Sequence, residues 1–159
     1  GNVLYRARRY DEAIAVLRKT LDMEPNFHAA YAYLGICYLM QGKREEALAE
    51  FRKGLAAAPG HPDFISLLGY AYGLAGKHDE ARRYLEELNA LAKRAYVPPS
   101  SYTGIYAGLG EMDAYFEWME KCFQERSPTI RGLKYEPLYD MVRGDPRFQE
   151  LLRRAGFEP

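Results

Sequence analysis

A period of 34 residues runs through most of this chain of 159 residues. Several kinds of residue keep the spacing at once, without an insertion. The repeating columns are Gly35 and Gly69; Gly42, Gly76 and Gly110; Ala13, Ala47 and Ala81; Tyr38, Tyr72 and Tyr106; and Pro25 with Pro59. A period of this length is typical of arrays in which each unit is one small motif that needs its neighbours to bury its apolar face. The sequence therefore predicts a stack of similar units.

Each unit contains two amphipathic stretches in which apolar residues recur at three- and four-residue steps, as they do on one face of a helix. In the second unit these residues are Tyr31, Leu34 and Tyr38, followed by Leu48, Phe51 and Leu55. Gly35 and Ala47 are small, which predicts that the two helices of a unit approach each other closely there. Each unit is therefore predicted to be a pair of antiparallel helices.

Glycine, proline and asparagine mark the predicted ends of these helices. Gly42 and Gly76 suit the left-handed position that follows a helix. Pro59 ends a second helix because proline cannot continue the hydrogen-bond ladder. Asn26 is the predicted N-cap of the helix that follows it, and Pro62 stands in the first turn, where proline is favoured. These signals separate the helices at the same place in successive units.

The second unit has the pattern Tyr31-x-x-Leu34-Gly35-x-x-Tyr38, then Ala47-x-x-x-Phe51, then Pro59. The third has Leu68-Gly69-x-x-Tyr72 and Ala81-x-x-x-Leu85. Both patterns resemble the tetratricopeptide repeat, with Tyr31 and Ile65 in the slot that tryptophan usually holds. The resemblance covers about residues 1–126. It implies an all-α fold, a right-handed α-solenoid of antiparallel helix pairs, closed by a C-terminal helical cap.

We expect one domain with irregular ends. Its predicted parts are a truncated repeat (1–27), two full repeats (28–61 and 62–95), a divergent repeat (96–129) and capping helices (130–159). Gly1 occupies the column of Gly35, so the first unit begins in mid-pattern, and we expect the chain to be part of a longer protein. Tyr115 stands in the column of Ala13, where a bulky side chain is expected to splay or rotate the fourth helix pair.

The last residues, 127–159, are predicted to leave the period. A short helix is expected around residues 136–142, and Asp145-Pro146 is expected to start a last helix. The stretch 138–154 resembles the tail that follows tetratricopeptide arrays in many large bacterial regulators. The resemblance implies an upstream effector, which in such proteins is a winged-helix DNA-binding domain, a nucleotide cyclase or a Ser/Thr kinase.

The charge balance limits the expected partners. Lysine plus arginine equal aspartate plus glutamate at 22 each, so no long-range field favours nucleic acid or an anionic membrane. No apolar run approaches the roughly 20 residues that span a bilayer. Cys37 and Cys122 have no paired spacing, which fits a reducing compartment. We predict a cytoplasmic protein without a direct nucleic-acid or membrane partner.

No residue pattern predicts chemistry. The histidines form no HxxxH or HExxH pair, and both cysteines occupy packing positions, so no metal, cofactor or catalytic residue is expected. Gly104, Gly108 and Gly110 resemble a phosphate loop in glycine density alone, and a tightly packed or weakened helix explains them better. The sequence thus predicts a protein that is not an enzyme.

In the tetratricopeptide family the first helix of each pair lines a concave groove that holds the ligand. The resemblance assigns to this groove Asn2, Tyr5, Arg6, Ala29, Ala32, Tyr33, Ile36, Leu39, Met40, Asp63, Ser66 and Tyr70, together with Leu67 and Leu74. The second and third units lack the lysine, arginine and asparagine with which some relatives clamp a carboxylate. A tyrosine-rich, aliphatic groove suits an apolar helix or an extended segment, although Tyr33 and Tyr70 are also candidates for packing between repeats.

The predicted function is a protein–protein interaction scaffold that binds a peptide or helix in this groove, as the regulatory or assembly module of a larger protein. One alternative is a substrate-recognition or regulatory segment of an enzyme or transcription regulator whose effector domain lies upstream. Two further expectations concern the partner. The groove is a candidate site for the C-terminal helix or an upstream domain of the same chain, and the open N-terminal edge is a candidate surface for self-association.

Overall fold

The structure is a computed structural model that describes residues 1–157. Within these residues the regular structure is entirely helical. The helices are α1 (Asn2–Arg6), α2 (Tyr10–Met23), α3 (His28–Met40), α4 (Arg44–Ala57), α5 (Pro62–Leu74), α6 (His78–Ala92), α7 (Pro99–Leu109), α8 (Met112–Gln124), α9 (Pro128–Gly132), the 3₁₀ helix Pro137–Val142, and α10 (Pro146–Arg154).

Short turns join successive helices, so that α3 packs against α4, α5 against α6, and α7 against α8, while α5 also contacts α4 and α7. This arrangement confirms the predicted all-α solenoid. Small residues shape the pairing: a Cβ atom on Gly35 would lie 2.3 Å from the ring of Phe51 on α4, and Ala47 is fully buried. The ring of Phe51 therefore fits against α3 because no side chain stands there.

The glycine column after the first helices has the predicted left-handed backbone. Gly42, Gly76 and Gly110 have φ values of 74°, 73° and 73°. Arg8 stands in the same column, one period before Gly42, and adopts a φ of 60° without being glycine. The repeat thus imposes its turn geometry on a residue that rarely adopts it.

The N-caps follow the sequence in part. The His61 side chain accepts a hydrogen bond from the backbone of Asp63 at the start of α5, and the Asp145 side chain accepts one from Arg147 at the start of α10. The prediction that Asn26 caps α3 is wrong. The N-cap position belongs to Phe27, without a side-chain cap, because residue 26 lies inside the turn whose backbone bonds join Phe27 to Glu24.

The tail keeps the period in its helix spacing. The second helices of successive units begin at Tyr10, Arg44, His78, Met112 and Pro146, each 34 residues after the last. The prediction that the tail leaves the period therefore holds for the residue columns but not for the helix starts. The residue columns do not show this spacing, because Gln149 and Arg153 occupy positions at which the earlier units have small or apolar residues. In the tail, Phe148 and Leu151 are buried instead.

Candidate functional site

The first helices of the units line one side of the array, and a cavity of about 500 Å³ lies against them. Helices α3, α5 and α7 supply one wall, and residues of α8 and of the tail supply the other. The lining combines apolar and hydroxyl-bearing side chains with those of Arg6, His28, His61, Asp63 and Glu136. The lining residues from α3, α5 and α7 include Ala29, Ala32, Tyr33, Ile36, Ser66, Leu67, Tyr70, Ser101, Thr103 and Ala107.

The structure brings most of the sequence-predicted groove residues together at this cavity. Those that line it are Arg6, Ala29, Ala32, Tyr33, Ile36, Asp63, Ser66, Leu67 and Tyr70. The others lie away from the lining: Tyr5 is fully buried, Leu39 is buried, and Asn2, Met40 and Leu74 are half-buried. The predicted residues that line the cavity therefore come mainly from the second and third units, and the fourth unit and the tail supply the rest of the lining.

Several lining residues were missed because the family columns were not extended into the fourth unit. Ser100, Ser101 and Gly104 stand one period after Ser66, Leu67 and Tyr70, so the signal for them was present in the spacing. The sequence marks Tyr115 in a different way, because its side chain is much larger than the alanines at the same position of the earlier units. It is 2% exposed, lines the cavity and packs edge-on against the neighbouring ring of Phe116 at 4.9 Å.

We call the side of the cavity formed by α3, α5 and α7 the inner wall. Within it, helices α5 and α7 contact each other at glycine residues. A Cβ atom on Gly108 would lie 2.5 Å from the carbonyl oxygen of Tyr70, and one on Gly73 would lie 2.4 Å from the carbonyl carbon of Gly108. A Cβ atom on Gly104 would lie 2.4 Å from the Ser66 hydroxyl. The prediction that Gly104 and Gly108 belong to a tightly packed helix is therefore right, and the glycines serve helix contact.

The tail crosses from α8 to the first unit. We call residues 128–142 the closing segment; they contain α9 and the 3₁₀ helix. The Tyr5 hydroxyl donates a hydrogen bond to the Glu136 carboxylate, and the Arg6 Nε lies 3.6 Å from the other carboxylate oxygen. Arg8 Nη1 lies 2.6 Å from Asp140 Oδ2. The closing segment therefore joins the last unit to the first.

The closing segment also contacts helix α5, and several of its residues line the cavity. The Tyr70 hydroxyl donates to the Met141 sulfur at 3.7 Å. Leu138, Tyr139 and Met141 all line the cavity. The cavity thus lies between the inner wall and the closing segment.

Arginines hold the closing segment and the last helix in place. Arg143 donates to the backbone oxygens of Leu133 and Glu136, at 3.4 Å and 3.1 Å. On α10, Arg147 pairs with Asp113 at 2.7 Å and its guanidinium lies 4.1 Å from the Phe116 ring centroid. These contacts join α10 to α8.

The hydroxyl groups at the cavity are neutral hydrogen-bonding groups. Burial raises the pKa of Tyr70 to about 12, and burial also raises the pKa values of Tyr115 and Tyr139 above the usual range of tyrosine. Among the described residues, the Ser101 Oγ and the Tyr115 hydroxyl are buried without a hydrogen-bond partner. Both residues line the cavity, although their two oxygen atoms are enclosed by protein.

The two cysteines lie outside the cavity lining. Cys37 and Cys122 are unpaired and buried, and burial raises the pKa values of their thiols to about 11 and about 12. Within residues 1–157, no group of three or more histidine, cysteine or acidic side chains is placed to hold a metal ion. No helix in this part of the chain is long and apolar enough to cross a membrane.

Known proteins that are similar to this chain have helical repeats. Two family models, both described as tetratricopeptide repeat, match residues 1–62 and 39–97. A solved structure described as "Crystal structure of MamA" is 22% identical in sequence and superposes with a TM-score of 0.50. That match covers 92% of this chain and 86% of the other. None of the curated proteins matches the sequence.

Proposed function

The chain belongs to the tetratricopeptide repeat family, whose members are protein–protein interaction scaffolds, and we propose that this scaffold binds a peptide in the cavity between its inner wall and the closing segment. Sites that hold small ligands and side chains have volumes of roughly 300 to 1,000 Å³. The cavity of about 500 Å³ falls within this range and accommodates a few residues of a partner, not a whole helix.

The observation that carries the proposal is the pair of unpartnered hydroxyls, on Ser101 and Tyr115. A buried polar group without a partner costs about 1 to 3 kcal/mol, so such groups are rare in folded proteins unless something satisfies them. A hydroxyl both donates and accepts. The backbone of a peptide offers N–H and C=O groups, which can pair with these hydroxyls once the two side chains turn toward the cavity.

The rest of the lining supports the same class of ligand. Ala29, Ala32 and Ile36 supply apolar surface on α3, and Tyr33 stands among them, half-buried. Tyrosine gives a large contact area at a small cost in conformational entropy and keeps a hydroxyl for orientation. This mixture favours a stretch of peptide with apolar side chains.

We propose binding without catalysis. The two thiols, which are the strongest nucleophiles in the chain, lie outside the cavity lining, and their raised pKa values keep them protonated at neutral pH. We further propose that the module works in the cytoplasm, as the regulatory or assembly part of a larger protein. The resemblance of residues 138–154 to the tails of bacterial regulators supports this context.

The test is a comparison of two tyrosines on α3. Peptides are first selected on the intact protein from a phage-displayed random library, and their affinities are then measured by fluorescence anisotropy. Tyr33→Ala should weaken binding about tenfold or more, because it removes a wall of the cavity. Tyr31→Ala is the matched control, since Tyr31 lies outside the lining and bonds to the Pro25 carbonyl oxygen.

Circular dichroism establishes that both variants remain helical. Equal loss of affinity in the two variants, or no loss in either, would show that peptides bind elsewhere. Failure to select any peptide on the intact protein would count against the proposal as a whole.

A further inference from the structure

We infer that the closing segment is a ligand already present in the groove, and that the partner peptide has the same chemistry: an acidic residue followed, two and three positions later, by a large aliphatic and an aromatic residue. In this chain those residues are Glu136, Leu138 and Tyr139. The inference rests on the proposed function, because it names the partner of that same groove.

The carboxylate is the first element of the recognition. The Glu136 side chain is 16% exposed, accepts a hydrogen bond from Tyr5 and lies beside Arg6. Tyr5 is fully buried, so its hydroxyl depends on this acceptor, and a hydrogen bond to an ionised group is stronger than one between neutral groups. The first unit therefore contains a preformed site for one carboxylate.

The second element is apolar. Leu138 and Tyr139 pack against the main hydrophobic core, and the Tyr139 ring lies 5.8 Å from that of Phe148. Pro137 separates them from Glu136 and restricts the backbone, while Glu136 itself is extended. The segment thus presents its acidic group on an extended residue and its aliphatic and aromatic groups on the first turn of the 3₁₀ helix that follows.

The contact between the closing segment and the wall is incompletely packed, which makes exchange feasible. Protein interiors are close-packed, yet the cavity lies directly beneath Leu138, Tyr139 and Met141. Met141 is 49% exposed, and the salt bridge from Arg8 to Asp140 lies at the surface, where ion pairs contribute little. Removal of the middle of the segment therefore loses less than removal of a packed helix.

The two ends of the closing segment are better anchored than its middle. Leu133 is fully buried and Val142 is 4% exposed, and α10 is docked beyond them. A partner that carries the same three groups can therefore replace residues 136–139 while the array keeps its last helix. Arg6 and Arg8, which lie beside the acidic groups of the segment, supply charge complementarity for an acidic partner.

The experiment uses a fluorescent peptide with the sequence of residues 133–142 and the intact chain. Its affinity is measured by anisotropy for the wild-type protein, for Glu136→Gln and for Glu150→Gln. Glu136→Gln weakens the resident segment, so the free peptide should bind this variant about tenfold more tightly than wild type. Glu150→Gln, which removes an exposed pair with Arg153, should bind as wild type does.

In a second peptide, glutamine replaces the residue that corresponds to Glu136. This peptide tests whether the carboxylate itself is recognised. It should bind Glu136→Gln about tenfold more weakly than the acidic peptide does, and Tyr5→Phe in that variant should abolish the difference. Chemical denaturation of each variant verifies that the protein remains folded at the temperature of the assay.

The outcomes separate this inference from the proposed function. Equal binding of the acidic and glutamine peptides, or equal affinity for wild type and Glu136→Gln, would overturn the inference. If library peptides without an acidic residue still require Tyr33, the proposed function stands and the inference fails. If neither kind of peptide binds, both fail.

Discussion

The two junctions of the inner wall have the same place in the repeat but different geometry. Where α5 meets α7, glycine occupies three successive contact positions, and where α3 meets α5, the equivalent positions hold large side chains. The pairs, each 34 residues apart, are Leu39 and Gly73, Tyr70 and Gly104, and Leu74 and Gly108. Helix α5 accordingly packs along α7 much more extensively than along α3.

The difference shows that the repeat signature does not determine how closely successive units approach. The signature residues lie between the two helices of a unit, whereas the three contact positions lie between first helices. Beyond the close contact of α5 and α7, the tail reaches back to α1. The closing segment bonds to Tyr5 there and forms one side of the cavity, which stays partly open to solvent.

The largest expected effect is at the glycine junction. Gly108→Ala should destabilise the protein by about 3 kcal/mol, because the added carbon meets the backbone of Tyr70, which cannot move aside as a flexible side chain can. Gly132→Ala, where a Cβ atom has nothing within 4 Å, should be neutral or slightly stabilising. Urea unfolding measures both. Equal stability of the two variants would mean that α5 and α7 separate at little cost.

The second effect is at the other junction. Leu74→Ala should destabilise the protein by about 2 kcal/mol, since Leu74 packs against the core and its removal leaves a cavity. Calorimetric or urea unfolding gives this value. A gain in stability would show instead that α3 and α5 move closer together when the side chain is shortened. The different helix spacing at the two junctions would then be due to the size of these side chains alone.

A smaller effect distinguishes the tyrosines of the regular and divergent units. Tyr115→Phe should stabilise the protein by about 1 kcal/mol, because it removes a buried hydroxyl without a partner. Tyr38→Phe should destabilise it by about 1 kcal/mol, because the Tyr38 hydroxyl accepts a hydrogen bond from Arg18. Thermal unfolding compares them. Destabilisation by Tyr115→Phe would indicate that ordered water satisfies that hydroxyl.

The smallest effect concerns pH. The hydrogen bond from Arg8 holds the pKa of Asp140 below its usual value. Since the folded-state pKa is lowered, the stabilisation is present above the unfolded value of about 3.9 and is lost as the pH falls through the folded value. The group is surface-exposed, so the effect should stay below about 1 kcal/mol. Urea unfolding of wild type and Asp140→Asn near pH 3 and pH 6 should show a slightly smaller pH dependence in the variant.

Local patterns predicted the helices and their turns well, because those features depend on neighbouring residues. The φ values at Gly42 and Gly76, and the N-cap at Asp145, follow from backbone chemistry that the sequence displays directly. Tyr33 and Tyr70, which the sequence assigns to the groove, both line one cavity. Whether that cavity binds a peptide stays a prediction.

The parts that could not be predicted depend on residues far apart in sequence. No local pattern near Glu136 indicates that its carboxylate contacts Tyr5, which lies 131 positions away. That contact depends on how all the intervening units stack. Tyr115 was recognised as too large for its column, but its direction toward the cavity depends on how α8 sits against the closing segment. The register of α10 was hidden because its apolar residues are displaced from the family columns.

The contact between Tyr5 and Glu136 has a consequence for how the protein folds. In an open array each unit contacts its neighbours alone, so units can unfold from either end one at a time. A bond between the first helix and the last unit couples the two ends, which favours a single all-or-none transition over fraying. It also raises the contact order, and contacts between distant parts of a chain slow folding. This chain should therefore unfold more cooperatively, and fold more slowly, than an open array of equal length.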